Sequence, residues 1–318
     1  MKAPAFWYKP PGLIAALLFP LSLFWQAGTG IRRWLATPYR ARKPVICVGN
    51  LVAGGAGKTP SALAISHVLQ QAGKSPVFVT RGYGGEMQGP IEVDPGRHNA
   101  RDVGDEALLL ACAAPTFIGR DRAAAIREAE KHGSHLVLDD GLQNPHILPD
   151  LGFLVIDGEV GLGNGYVIPA GPLRETLSMA MTRVTAVIII GGRDDHRIKG
   201  RMQCPMIRAE WRPNLPEDFP RSDNFFAFAG IGRPQKFYAT CRAAGLALAG
   251  TMDFPDHHIF SDADLAQVKR EAEAHGARLL TTEKDYVRLP HDFRKAVTVF
   301  SAKLEFDDMT AIKRLLRI

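Results

Sequence analysis

No acidic residue precedes Glu86 in this chain of 318 residues, whereas ten basic ones do: Lys2, Lys9, Arg32, Arg33, Arg40, Arg42, Lys43, Lys58, Lys74 and Arg81. The remaining chain holds 29 Lys and Arg (39 less these ten) against 33 Asp and Glu, so the net charge of +6 conceals a basic N-terminus on a mildly acidic body. That asymmetry argues against the uniformly basic surface of a nucleic-acid-binding protein, and no nucleic acid partner is expected. Cysteine is scarce: Cys47, Cys112, Cys204 and Cys241 lie far apart, with no C-x-x-C pair. A disulfide scaffold and a zinc ribbon are thereby excluded, and four reduced, buried thiols in a reducing compartment are expected. The 31 Gly and 22 Pro form no repeat, which removes collagen-like and low-complexity readings. An unbroken apolar run of the ~20 residues that span hydrocarbon is also missing.

What the N-terminus does have is apolar density. Residues 13–25 read LIAALLFPLSLFW, flanked by Trp7 and Tyr8 before and by Trp34 and the cations Arg32, Arg33, Arg40, Arg42 and Lys43 after. Pro20 interrupts the run. A helix lying at the surface of an anionic membrane fits this pattern, and an amphipathic helix packed on the protein's own core is the alternative. A signal peptide fits poorly, because Ala27-Gly28-Thr29 makes a weak cleavage site.

Residues 44–49, PVICVG, read as a buried parallel strand, and SALAISHVLQQAG after position 59 reads as a helix stopped at Gly73. Between them lies NLVAGGAGKT. Strand, glycine loop, G-K-T and helix form the arrangement that cradles phosphates. Gly54, Gly55, Ala56 and Gly57 let backbone N–H groups turn inward, Lys58 reaches the β- and γ-oxygens, and the Thr59 hydroxyl ligates Mg²⁺. The pattern G-x-x-x-x-G-K-S/T asks for Gly at Val52, a departure that neighbouring glycines offset. A GTPase specificity element, N-K-x-D, is absent; the nearest stretch is Thr281-Thr282-Glu283-Lys284-Asp285.

The apolar strand His135–Leu138 ends in Asp139 and Asp140. Strand carboxyl ends face the ligand crevice in parallel α/β sheets, so either carboxylate is placed to complete a Mg²⁺ shell opposite Thr59; a helix cap would explain one of them. Asp105 and Glu106 open a helical run, where they serve equally as first-turn acids. Arg81, in the loop TRGYGG, and Arg174, in the loop IPAGPLRE, are candidate contacts to a phosphorylated substrate.

Later strand-like runs at 153–157, 186–190, 225–230, 278–282 and 296–300 alternate with helices near 234–245 and 261–276. We therefore expect a P-loop NTPase-like α/β fold, a parallel sheet with helices on both faces, plus a smaller α/β lobe. The expected division is an N-terminal membrane-associated segment at 1–33, a nucleotide domain at 34–204, a Pro- and Arg-rich connection at 205–222 and the smaller lobe at 223–318.

The motifs VGNLVAGGAGKTP, TRGYGG, VGDEALLL, LDDGLQN, IPAGPLRE, FPDHHIF and TTEKDYVRL, in that order, resemble the tetraacyldisaccharide 4′-kinase family of lipid A biosynthesis. The resemblance covers essentially the whole chain. Val52, Thr80 and Asn144 depart from the residues commoner in that family, and no role is carried over to Asn144. The resemblance implies ATP- and Mg²⁺-dependent phosphorylation of the 4′-hydroxyl of a tetraacylated disaccharide 1-phosphate, giving lipid IVA, at the cytoplasmic face of a bacterial inner membrane. It also implies a base, His257, with Asp105 as its acidic partner and Glu106 near the metal. The pair would come from opposite lobes and form on closure. The partners are then the lipid A disaccharide precursor and an anionic membrane surface; no protein partner is legible. The alternative is a membrane-associated P-loop ATPase acting as a switch, without a small-molecule acceptor.

Overall fold

A computed structural model describes residues 3–54, 57–192, 200 and 202–318. The run at 44–49 is strand β1 (Val45–Gly49), every residue of it buried. Period-two alternation sends Val45 and Cys47 to one face and Ile46 and Val48 to the other, each into its own apolar cluster. A strand apolar on both sides needs cover on both sides, which helices supply.

The large sheet further contains β2 (Pro76–Thr80), β3 (Ile91–Glu92), β4 (Thr116–Ile118), β5 (His135–Asp139), β6 (Leu151–Asp157), β7 (Ala186–Ile190), β8 (Met206–Pro213) and β13 (Ala302–Phe306). Their order is β13-β8-β7-β6-β1-β5-β2-β4-β3, parallel except for the outer pairs β3–β4 and β8–β13. Helices α2 (Lys58–Gln71), α4 (Asp105–Ala111) and α11 (Met309–Leu316) bury Ile65, Leu69, Leu110 and Ile312 on one face. On the opposite face α5 (Arg122–Ala129) and α6 (Leu177–Met181) bury Ala125, Ile126, Ala129 and Ala180. Strand β1 lies between β5 and β6, where the winding reverses, so the loop after it opens into the switch-point crevice.

The second sheet has the order β10-β9-β11-β12, all parallel, from β9 (Asn224–Ala229), β10 (Ala247–Asp253), β11 (Arg278–Thr282) and β12 (Val297–Phe300). Helix α7 (Pro234–Ala243) covers one face with Phe237, Tyr238 and Cys241; α8 (Asp262–Ala274) covers the other with Leu265, Val268 and Ala272.

Two expectations need correction. The stretch 205–222 is not simply a connection: Met206–Pro213 is a strand of the large sheet. Nor do residues 223–318 all belong to the smaller lobe. The chain returns after β12, β13 pairs antiparallel with β8, and α11 packs against the large sheet. The alternating pattern of β8 and β13 suits an outer antiparallel pair, and the pairing joins residues about 90 positions apart. Two thiols also depart from expectation, since Cys112 is exposed and Cys204 only half-buried.

The N-terminal run forms α1 (Leu13–Trp34), 22 residues, and continues through Pro20. Proline deletes the bond its N–H would give to Ala16 and crowds the Ala16 carbonyl, a cost that this long helix survives. Only Ala15 and Ser22 are buried, while Leu13, Leu17, Phe24 and Trp34 are each at least 70% exposed. The helix is long and apolar enough to cross a membrane, judged by length and composition.

Candidate active site

Three loops meet at the carboxyl end of β1. The first is the phosphate loop, in which the Asn50 side chain donates to the carbonyls of Val52 (2.7 Å) and Gly54 (3.2 Å). Gly54 has φ +117°, and Gly57, at the cap of α2, has φ +79°. Both lie in the left-handed region that glycine enters freely. Gly55 and Ala56, which the sequence places in this loop, lie outside the described residues.

The second is the Asp139-Asp140 corner after β5. Thr59 Oγ1 donates to Asp139 Oδ2 at 2.7 Å, deep in the sheet. Asp139 Oδ1 is buried and has no hydrogen-bond partner. Burial, and then the charge of Glu106, push the Asp139 carboxyl up to about 7, against the pull of the Thr59 hydrogen bond and of Lys58. Asp140, at φ +55°, turns the other way, with Arg174 Nη1 at 3.0 Å and Lys58 Nζ at 3.9 Å. The structure thus separates the two carboxylates. Asp139 accepts from Thr59 and feels the charge of Glu106, and Asp140 ties Lys58 to Arg174.

The third is the loop around Ile168–Glu175. Ala53 N–H donates to Pro172 O at 2.8 Å, Arg174 N–H donates to Leu51 O at 2.8 Å, and Val52 bridges Leu173. Val52 therefore takes a structural place beside this loop. The loop's other side is α1: Ser22 Oγ donates to Val167 O at 2.7 Å, and Trp25 Nε1 donates to Arg174 O at 3.0 Å. Buried Glu175 accepts from Arg33 at 3.1 Å, from Gln143 at 3.2 Å and from Arg183.

Across the crevice the carboxyl ends of β10 and β11 face this site. His257 Nδ1 lies 2.9 Å from Asp105 Oδ2, joining the lobes across 152 residues of sequence. Asp105 is 5% exposed. Burial pushes its carboxyl up, but the His257 hydrogen bond and the charges of Lys284, His257 and Arg288 together outweigh it and hold the group below its ordinary value. Tyr83 of the TRGYGG loop meets the His257 ring edge-on, centroids 6.1 Å apart. That loop is pressed on the turn before Asp105; a Cβ at Gly104 would lie 2.3 Å from Tyr83 O. The pair that was expected to join the two lobes is made in this structure.

Two residues of this site were not assigned a role from sequence. Lys284 Nζ sits 3.2 Å from His257 Nε2 and 3.8 Å from Glu106 Oε1; Arg288 Nε sits 3.2 Å from Asp105 Oδ2. Both follow the carboxyl end of β11 and lie four residues apart, one helical turn, through α9 (Glu283–Tyr286). The strand-end rule that singled out Asp139 points toward Lys284, two residues past β11, but not to Arg288, six residues past it. Arg81 is exposed at the end of β2; burial, and more weakly the Arg81 charge, lower the Arg122 guanidinium to about 10 against the pull of Asp139 and Asp140. Asn144, the departure with no assigned role, caps its own turn by accepting from His146 N–H at 2.9 Å.

Among the described residues no three His, Cys, Asp or Glu side chains gather into a metal cage. Mg²⁺ does not need one, since it keeps several waters and takes one or two carboxylates. An orphaned buried oxygen on Asp139, beside the Thr59 hydroxyl and the Glu106 charge, fits such a cation.

A family model described as tetraacyldisaccharide-1-P 4′-kinase matches residues 14–318. The tetraacyldisaccharide 4′-kinase of Rhodospirillum centenum is 46% identical over 99% of this chain and 96% of its own length. That of Parvibaculum lavamentivorans is 47% identical over 97% of this chain and 91% of its own. In three dimensions the chain is similar to the crystal structure of the "apo" form of LpxK from Aquifex aeolicus in complex with ATP. The TM-score is 0.77 at 23% identity, covering 96% of this chain and 99% of that one, which supports the shared fold. By sequence over nearly its full length, the chain belongs to the tetraacyldisaccharide 4′-kinase family.

Proposed function

We propose that this ATP-dependent lipid A 4′-kinase transfers the γ-phosphoryl group with His257 as the base, oriented by Asp105. One observation carries the proposal: a buried carboxylate on the nucleotide domain 2.9 Å from an imidazole on the smaller lobe. In the transfer, the acceptor 4′-oxygen forms a bond to the γ-phosphorus and the bond to the β,γ-bridging oxygen breaks. ADP leaves with that electron pair, and the hydroxyl proton passes to His257 Nε2. A base in hydrogen-bond reach contributes about 10²–10⁴-fold to such steps. Asp105 holds the imidazole with Nδ1 protonated and stabilises the cation that forms. Lys58 neutralises the β- and γ-oxygens.

Thr59, Asp139 and Glu106 are the residues that would hold Mg²⁺. When bound, it would neutralise charge on the β- and γ-phosphates. Asp140 fixes Lys58 and Arg174 at the rim, the side from which an anionic acceptor arrives. The acceptor carries four acyl chains, so the enzyme must work at a headgroup plane. We assign α1, with its exposed Leu13, Leu17, Phe24 and Trp34 and its basic C-terminal end, to the cytoplasmic face of the inner membrane.

The test incubates the protein with γ-labelled ATP and detergent-dispersed tetraacyldisaccharide 1-phosphate. Label in the lipid is expected, and its loss in His257→Ala supports the base. Label found only in inorganic phosphate would revive the switch reading.

A further inference from the structure

Lys284 has no role in the transfer described above, yet its ammonium lies 3.2 Å from His257 Nε2, the atom that must take the acceptor's proton. An ammonium has donors and no acceptor, so Nε2 meets it as a lone pair and the ring proton sits on Nδ1, toward Asp105. The base is thus oriented correctly but occupied. Carboxylate oxygens surround the same ammonium: Glu106 Oε1 at 3.8 Å, Asp105 Oδ2 and Asp256 Oδ1 both at 3.9 Å. Leaving Nε2 therefore does not strand the charge. The lysine side chain is 23% exposed, on a flexible four-carbon stem.

We propose that Lys284 is a specificity-determining residue of this kinase: it holds the His257 lone pair until an acceptor hydroxyl displaces it, and so protects ATP from water. The proposal rests on the reading of His257 as the base. The reaction it suppresses is hydrolysis. A water oxygen bonds to the γ-phosphorus, the bond to the β,γ-bridging oxygen breaks, ADP leaves with the electron pair, and the water's proton passes to Nε2. Water brings little binding energy with which to evict an ammonium. A lipid disaccharide brings the contacts of its whole headgroup, and remote binding energy of that kind can be spent at the reacting centre.

The experiment compares two rates of the full-length protein in detergent: ATP hydrolysis without lipid, and phosphoryl transfer with it. Lys284→Met keeps the length and removes the donor. The ratio of hydrolysis to transfer is expected to rise about 10-fold, the factor that one hydrogen bond to a charged group represents. Lys284→Arg, which keeps a donor, should stay near wild type; Lys284→Gln is the second neutral variant should Lys284→Met fold poorly. Adding His257→Ala to either neutral variant should abolish the extra hydrolysis. An unchanged ratio, a proportional fall of both rates, or extra hydrolysis that survives His257→Ala would overturn the proposal. If transfer persists in His257→Ala alone, the base reading fails. If that variant is inactive while the Lys284→Met ratio stays flat, the protective role alone fails.

Discussion

Replacing Asp139 by Asn removes a charge that its surroundings disfavour. Asp139 is 1% exposed, and burial with the Glu106 charge pushes its carboxyl up to about 7. In an unfolded chain the same group ionises near ~3.9. Below about pH 4 it is protonated in both states and has no effect on stability. Between about pH 4 and pH 7 the unfolded chain gives up its proton first, so the native state loses stability as pH rises, and the loss is complete above about pH 7. Three pKa units correspond to about 4 kcal/mol. Asp139→Asn still accepts the Thr59 hydrogen bond through its amide oxygen. Without divalent cations it should therefore unfold at higher temperature than wild type at pH 8, by at most about 16 °C at ~2–4 °C per kcal/mol. The gain should shrink as pH falls to 5. Thermal unfolding in chelator at the two pH values measures it. Mg²⁺ with ATP should then stabilise the wild type more than the variant, and the variant should lack kinase activity. A gain equal at pH 5 and pH 8, or a loss at both, would refute the reasoning that Asp139 is a buried carboxylate awaiting a cation.

Gly104→Ala places a Cβ 2.3 Å from Tyr83 O at a residue with φ +87°, displacing the turn that presents Asp105. Backbone strain alone costs about 1–3 kcal/mol, so turnover should fall while binding of a fluorescent ATP analogue changes little. Lys58→Ala should reduce kcat by about 10²–10³-fold with the circular dichroism spectrum unchanged; near-normal turnover would contradict the phosphate-loop assignment. Deletion of residues 1–30 removes most of α1 and its bonds to Val167 and Arg174. Vesicle co-sedimentation should drop sharply, and undiminished partitioning would remove α1 as the anchor.

Much of the nucleotide site was legible because its residues are close in sequence. Strand β1, the glycine loop, Lys58 and Thr59 form one contiguous stretch, and Asp139 and Asp140 announce themselves at the end of an apolar strand. That Asp139 and Asp140 diverge was not legible, because it depends on a positive φ at Asp140 and on Arg174 arriving from another loop. Strands β8 and β13 escaped for a related reason. Their pairing, Leu304 opposite Trp211 and Phe306 opposite Ala209, exists only once the chain has returned from the smaller lobe. Lys284 and Arg288 gain their meaning from the same tertiary approach. Pro20 interrupts the apolar run in sequence, yet the helix runs on through it.

We propose that Asp105 and His257 act as one unit across the two lobes. It is tested most directly by kcat for phosphoryl transfer to the lipid acceptor in His257→Ala, Asp105→Ala and the double variant, with ATP affinity measured alongside. Each single variant is expected to lose far more kcat than ATP affinity, and the double variant to be little worse than the weaker single. Losses that multiply in the double variant, or a normal kcat in His257→Ala, would contradict it.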